Sequence, residues 1–486
     1  MSNIFDYIDW RGDIPFAVDP FNDVDNLIMA MLSYVDFEGV VPGPGVDVKV
    51  PITDVAERYF SLHTDEEIMA RETFTKLTPF LLRKMAASVR YSKTELSGYV
   101  NIISQDENEQ MSAVAIYLED GSTYASFRGT DHTIIGWKED FMLSYTSRTP
   151  GQIHAAAWMD QNFRFSDRPV LVGGHSKGGN FAVYASAFCT QETRDKIKVI
   201  YSNDGPGFTA DVLETSEYKE ILPRVVSILP EESFFGLLMY SDYENRVIKS
   251  SEKGVYQHDG MSWQVLGRDF VAAEKLSENS LFMDKTVTKW VEGFTPEERK
   301  TFVDAVFGLV DSAGAETIGD LNRSRVKTYT DIIKSFAALP KDQQGMIRST
   351  LNALVRSGAD VLMDQIMGER EERKSLTDSL SDVKDEIKSE LPKVTAGAIA
   401  GVSKAASGVK TEVPKLADSV KTEMPKLAES LMDLAVKAAG KAAEKAAEKL
   451  IRTSTEEGAA DDYDEFFTAP DQPALPIKEE DTEEKK

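Results

Sequence analysis

The chain has 486 residues, 42% hydrophobic and 28% charged, which is enough for a packed core and for about three domain-sized units. Its 81 acidic side chains outnumber 55 basic ones, and a net charge of −26 repels phosphate backbones, which argues against a nucleic-acid partner. One cysteine, Cys189, excludes an internal disulfide framework and a Cys-based zinc site, and five scattered histidines make a poor metal site, so no cofactor is expected.

At the start, Asp6, Asp9, Asp13 and Asp19 are unlike a secretory signal, and no apolar run anywhere is long enough to span a bilayer, so a cytoplasmic address is expected. Residues 1 to 275 mix aromatics, Gly, Pro and β-branched runs in the manner of an α/β domain. Asn22 to Phe37 reads as an amphipathic helix capped by Asn22, and Asp65 to Ser88 as a second helical stretch. Tyr99–Ser104, Met111–Leu118 and Thr123–Phe127 follow as short strands divided by turn residues such as Asp120-Gly121. Val170–Gly173, a helix from Lys177, Ile197–Ser202 and Val225–Leu229 then alternate, which predicts a mostly parallel sheet covered on both faces.

Beyond that domain, 276–366 is all helical in pattern, over Met283–Val291, Pro296–Ser312, Asp331–Leu339 and Lys341–Arg356, and reads as an accessory or dimerisation lobe. Residues 367–455 are low-complexity helix in which VKTEVPKLADS and VKTEMPKLAES repeat in tandem with an 11-residue period. Such a period brings apolar groups back to one side of a helix, here Val409, Val413, Leu416, Val420, Met424 and Leu427. Lysines flank that stripe, so 387–451 is expected to pack on itself, on a second copy or on a membrane surface. The end, 456–486, holds 12 acidic and 3 basic residues and is expected to be a disordered tail.

Chemistry concentrates at Gly174-His175-Ser176-Lys177-Gly178, which fits G-x-S-x-G between a strand and a helix. That turn exposes a serine hydroxyl, and its small flanking residues give clearance. A serine nucleophile needs a histidine base oriented by a carboxylate, in the chain order Ser, acid, His for this arrangement. His63, His132 and His154 precede the serine and His175 adjoins it, leaving His258 as the base. Asp204, at the carboxyl end of a strand, is the favoured acid, and Glu231 or Glu232 at the end of the next strand is the alternative. The amides of Lys177 and Thr130, with the Thr130 hydroxyl, are the expected oxyanion donors, while Arg128 and Asp140 read as structural.

FRGTD at 127–131, GWKEDF at 136–141, GHSKGGN at 174–180, DGPGF at 204–208 and QHD with Trp263 together resemble a bacterial family of α/β-hydrolase-like proteins catalogued as domain of unknown function 2974. FRGT and GHSxGG are also similar, more distantly, to class 3 (triacylglycerol) lipases. The resemblance runs from about residue 3 to 360 and implies an α/β-hydrolase fold with Ser176 as nucleophile, His258 as base and Thr130 and Lys177 at the oxyanion. Class 3 lipases carry their acid after the later strand, where this chain has Pro230-Glu231-Glu232-Ser233. The DGPG at Asp204 is closer to the pancreatic-type arrangement, one strand earlier. The expectation is a serine esterase acting through an acyl-enzyme on a small-molecule or lipid ester; the alternative is an inactive hydrolase-fold scaffold working through its C-terminal helices.

Overall fold

A computed structural model describes residues 2–312 apart from Glu72, Phe74 and His132, together with Thr317, Lys341, Gln344, Gly345, Ile347, Ser349, Thr350 and Ala353. Eight strands form its main sheet in sequence order: β1 (Val50–Pro51), β2 (Glu95–Ser104), β3 (Glu109–Tyr117), β4 (Thr123–Phe127), β5 (Val170–His175), β6 (Ile197–Asn203), β7 (Val225–Pro230) and β8 (Asn245–Ile248). β1 to β4 pair antiparallel and β4 to β8 pair parallel. A two-stranded hairpin, Val265–Leu266 with Asp269–Phe270, stands beside it.

Period-two alternation sorts the strand residues into two cores. Val114, Ile116, Tyr124, Tyr201 and Ile228 enter one, and Ala113, Ala115, Phe127, Val172 and Ile200 enter the other. The parallel half adds each strand to the same edge without reversing. Right-handed crossovers then put the connecting helices on one face. Pro150–Phe163, Lys177–Phe188 and Ser216–Ile221 accordingly share the second core. The first face is covered by helices that precede the parallel strands, Ile4–Arg11, Asp23–Leu32, Ile52–Leu62 and Thr78–Ala87. The result is an α/β-hydrolase-like sheet covered on both faces.

The expected strands appear where the apolar runs lie. Asn22 caps its helix with a full capping box, its side chain accepting from Val24 and Asp25 while the Asp25 carboxylate accepts from its amide. The stretch from Asp65 to Ser88 is a correction: it is two helices, Asp65–Met69 and Thr78–Ala87. Pro79 lies in the first turn of the second, where its missing N–H costs nothing, whereas inside one long helix it would remove a bond.

Glu278–Glu292 and Pro296–Ser312 are helical as expected, and they build a third apolar cluster of Phe302, Val303, Phe307 and Ile347 with Ile134 of the helix Ile134–Met142. This part of the 276–366 region thus packs on the helix that follows the expected oxyanion segment. Asp331–Leu339, most of Lys341–Arg356, the repeats of 387–451 and the acidic tail of 456–486 lie outside the described residues. Among the described residues, no helix is long and apolar enough to cross a membrane.

Candidate active site

β5 ends at His175, and the helix Lys177–Phe188 starts one residue after Ser176, so Ser176 is the whole of the turn between them. Its backbone is held at φ 59°, ψ −133°, a region that costs a non-glycine residue about 1–3 kcal/mol. Hydrogen bonds from Ser176 N to Asn203 O (2.9 Å) and from Gly179 N to Ser176 O (2.8 Å) hold the strained turn. Flanking glycines are required by close approach: a Cβ on Gly178 would stand 2.2 Å from the Phe127 carbonyl oxygen, and one on Gly174 would stand 2.3 Å from Gly178. The G-x-S-x-G spacing is therefore what lets β4, β5 and the helix meet closely enough to push a half-buried serine up between them.

Asp204 follows directly on β6, is fully buried, takes a left-handed φ of 51° and presents its carboxylate to His258. His258 lies on a short helical turn, Gly254–His258, and its Nδ1 meets Asp204 Oδ2 at 2.6 Å. The other oxygen, Oδ1, accepts from the Ser233 hydroxyl at 2.5 Å and the Gly236 amide at 3.1 Å. Glu231 and Glu232 do not share this arrangement: the Glu231 amide bonds Ile248 O, and the Glu232 carboxylate caps the Gly254 amide. The carboxylate that meets His258 is that of Asp204. Phe235 packs against the His258 ring, centroids 4.2 Å apart, and His175 packs against it at 4.6 Å. Among the described residues, no hydrogen bond joins Ser176 to His258.

The expected oxyanion residues have different fates. Lys177 is the first residue of its helix, and the first four amides of a helix have no partner within it. Its side chain turns away into the interior, where Nζ bonds Glu139 Oε2 at 3.0 Å and Gly136 O at 3.3 Å. Glu139, also fully buried, accepts in addition from the Gln110 and Gly151 amides. Thr130 donates its hydroxyl to Asp140 Oδ2 at 2.7 Å, so that proton is committed and the amide is the group left for a ligand. Burial pushes the Asp140 carboxyl up to about 6, against the pull of Lys177 and of Thr130. Arg128 is a loop anchor, bonding Asn101 at 2.9 Å and Asp131 at 3.3 Å.

Sequence reasoning did not single out Ser233, Gly236, Glu139 or Tyr34, all of which touch this constellation. For Ser233 the usable signal was the Pro230-Glu231-Glu232-Ser233 run, a serine beside an expected acid position, and Glu139 lies within the GWKEDF motif. A lone tyrosine such as Tyr34 carries no local signature.

Sheet, turn and flanking helices together define an α/β-hydrolase-like protein. Residues 85–308, just under half of the 486, match the model of a family described as Mbeg1-like. That span takes in the elbow, Asp204 and His258, and it is shorter than the stretch from 3 to 360 over which the motifs resemble hydrolases. The crystal structure of M37 lipase is similar at a TM-score of 0.25 and 16% identity, over 36% of this chain and 70% of that one. No curated protein matches the chain.

Proposed function

We propose that the chain is a serine hydrolase of carboxylic esters, with Ser176 as nucleophile, His258 as base and Asp204 as the acid that orients it. The observation that carries this reading is the 2.6 Å contact of His258 Nδ1 with the buried Asp204 carboxylate, beside a serine held at φ 59° on a strand-to-helix turn. With Nδ1 bonded to Asp204, Nε2 is the nitrogen that takes the serine proton. The serine oxygen then bonds the ester carbonyl carbon, and the amides of Thr130 and Lys177 receive the developing negative charge. The C–O bond to the alcohol breaks, the alcohol leaves with the proton from His258, and an acyl-enzyme remains. Water, deprotonated by the same histidine, releases the acid and restores Ser176.

Labelling with a fluorophosphonate probe tests the reading without knowledge of the substrate. Ser176 is expected to carry the label, and Ser176→Ala to lose it while keeping its circular-dichroism spectrum. Label that maps elsewhere, or a wild-type chain that stays unlabelled, would sink the assignment and leave the inactive-scaffold alternative standing.

A further inference from the structure

His258 sits on a short turn outside the regular sheet, so the ladder that fixes Ser176 and Asp204 does not fix it. Its main chain is pinned by side chains from elsewhere. Trp263 Nε1 donates to the Gln257 carbonyl at 2.9 Å, and His175 Nε2 meets the His258 carbonyl at 2.6 Å. A carbonyl only accepts, so Nε2 of His175 carries the hydrogen. In the neutral ring Nδ1 is then an acceptor, and the Tyr34 hydroxyl donates to it at 2.9 Å.

We infer that His175, held in one tautomer by Tyr34, is a positioning residue that fixes the main chain of His258 and thereby the aim of its ring between Asp204 and Ser176. The inference rests on the hydrolase reading given above. His175 is 4% exposed, and burial together with the neighbouring His258 pushes its ring down to about 3, so it stays neutral wherever the base works. Burial raises the Tyr34 hydroxyl as well, which keeps its proton in place. Both ring nitrogens of His175 are engaged, which removes it as a competing base for its neighbour Ser176.

The same tyrosine reaches the oxyanion segment. A Cβ on Gly129 would fall 2.2 Å from the Tyr34 hydroxyl, 2.5 Å from the His175 carbonyl oxygen and 3.0 Å from Ser176 Cβ. The strut Tyr34–His175–His258 thus runs past the residue that precedes Thr130, one of the expected oxyanion donors. It ties together three segments that reach the site on separate parts of the chain: the end of β4, the elbow and the base turn. The variable position before the serine of the elbow is in this chain a structural link to the base.

The test compares labelling rate with labelling endpoint. The endpoint of fluorophosphonate labelling counts folded sites, and its rate reports how well the base is aimed. His175→Phe keeps a ring of similar size but loses both hydrogen bonds; it is expected to label to the wild-type endpoint at a rate lower by about 10- to 100-fold, as a misplacement near 1 Å does. His175→Gln retains an amide donor for the His258 carbonyl and is expected to recover most of that rate. Tyr34→Phe should fall between them. On a soluble ester the loss should appear in kcat with KM little changed. A wild-type rate in His175→Phe overturns the inference and leaves the hydrolase reading intact. So does a lower endpoint at an unchanged rate, which would mark His175 as a folding residue only. Absence of label on Ser176 in the wild-type chain overturns both.

Discussion

Ser233 donates its hydroxyl to Asp204 Oδ1 at 2.5 Å, on the carboxylate oxygen opposite the one that meets His258. The loop after β7 therefore braces the Asp204 carboxylate, with Gly236 as a second donor, and is itself tied down by the helix Glu278–Glu292. Ser277 N donates to Glu231 O at 2.7 Å, and the Ser280 hydroxyl donates to the Ser233 carbonyl. A carboxylate with two donors on one oxygen and a histidine on the other has little freedom to rotate.

Ser233→Ala removes the shorter of the two donors to Oδ1 in a buried place. Leaving a buried acceptor short of a partner costs about 1–3 kcal/mol. The variant should unfold at lower urea concentration, and its ester turnover should fall about tenfold, the weight of roughly 1.4 kcal/mol at the barrier. Wild-type turnover in the variant would mean that Gly236 alone holds the acid.

Asp204→Asn is expected to lower turnover by about 10⁴-fold, because an amide offers the wrong partner to the histidine and cannot stabilise its charged form. Glu231→Gln and Glu232→Gln should stay within a few-fold of wild type, since neither carboxylate touches His258. Steady-state hydrolysis of one soluble ester by the three variants decides the order. The reverse order would move the acid to the loop after β7.

Lys177 and Glu139 form a buried ion pair, their side chains 1% and 0% exposed. Lys177→Met leaves the Glu139 carboxylate with only its two amide donors, and breaking such a pair costs about 3–5 kcal/mol. The double variant Lys177→Met with Glu139→Gln should regain part of that loss, since no unpaired charge remains. Urea unfolding followed by circular dichroism measures both, and an additive double variant would argue against the pairing.

His175 gives the fold a dependence on acidity. Its folded-state ring is pushed down to about 3 from an ordinary 6.5, so between those values the unfolded chain binds a proton that the folded chain refuses. Stability from this group is fully present above pH 6.5 and is lost as the pH falls toward 3. The groups facing the ring are Tyr34, His258 and Trp263, with Asp204 beyond His258. Half-buried Asp140 and Asp259, both raised to about 6, change stability in the opposite sense over part of that range. The clean measurement is therefore the difference between wild type and His175→Gln: the wild-type chain should lose more stability than the variant between pH 6.5 and 4. Parallel curves would mean that the ring is not neutral in the fold.

The parts of this site that the sequence exposed are those carried by contiguous residues or by elimination. Ser176 announces itself through five neighbouring positions, His258 is the one histidine downstream of it, and Asp204 closes an apolar run. Tyr34, Ser233 and the role of His175 are pairings across distance. Tyr34 and His175 are 141 residues apart, and His175 and His258 are 83 apart, so no local pattern holds them. Helices show the same division. Asn22 announces its helix by a cap and an apolar face. Pro150–Phe163, by contrast, has its buried large apolar residues, Trp158, Met159 and Phe163, all in its second half, while Ile153 in its first half is exposed, so no apolar stripe runs its length to be read.

The N-terminal helices cover the face of a sheet whose strands, apart from the two residues of β1, all come later in the chain. During translation, Asp23–Leu32, buried over nine of its ten residues in the finished fold, leaves the ribosome long before β5 exists to receive it. Contacts of such sequence separation form late and slowly. The nascent chain must therefore carry this apolar helix without its sheet until β5 has been made, a stretch suited to a holding chaperone. Tyr34 travels with that helix, so its bond to His175 can close only once the helix has docked on the completed sheet.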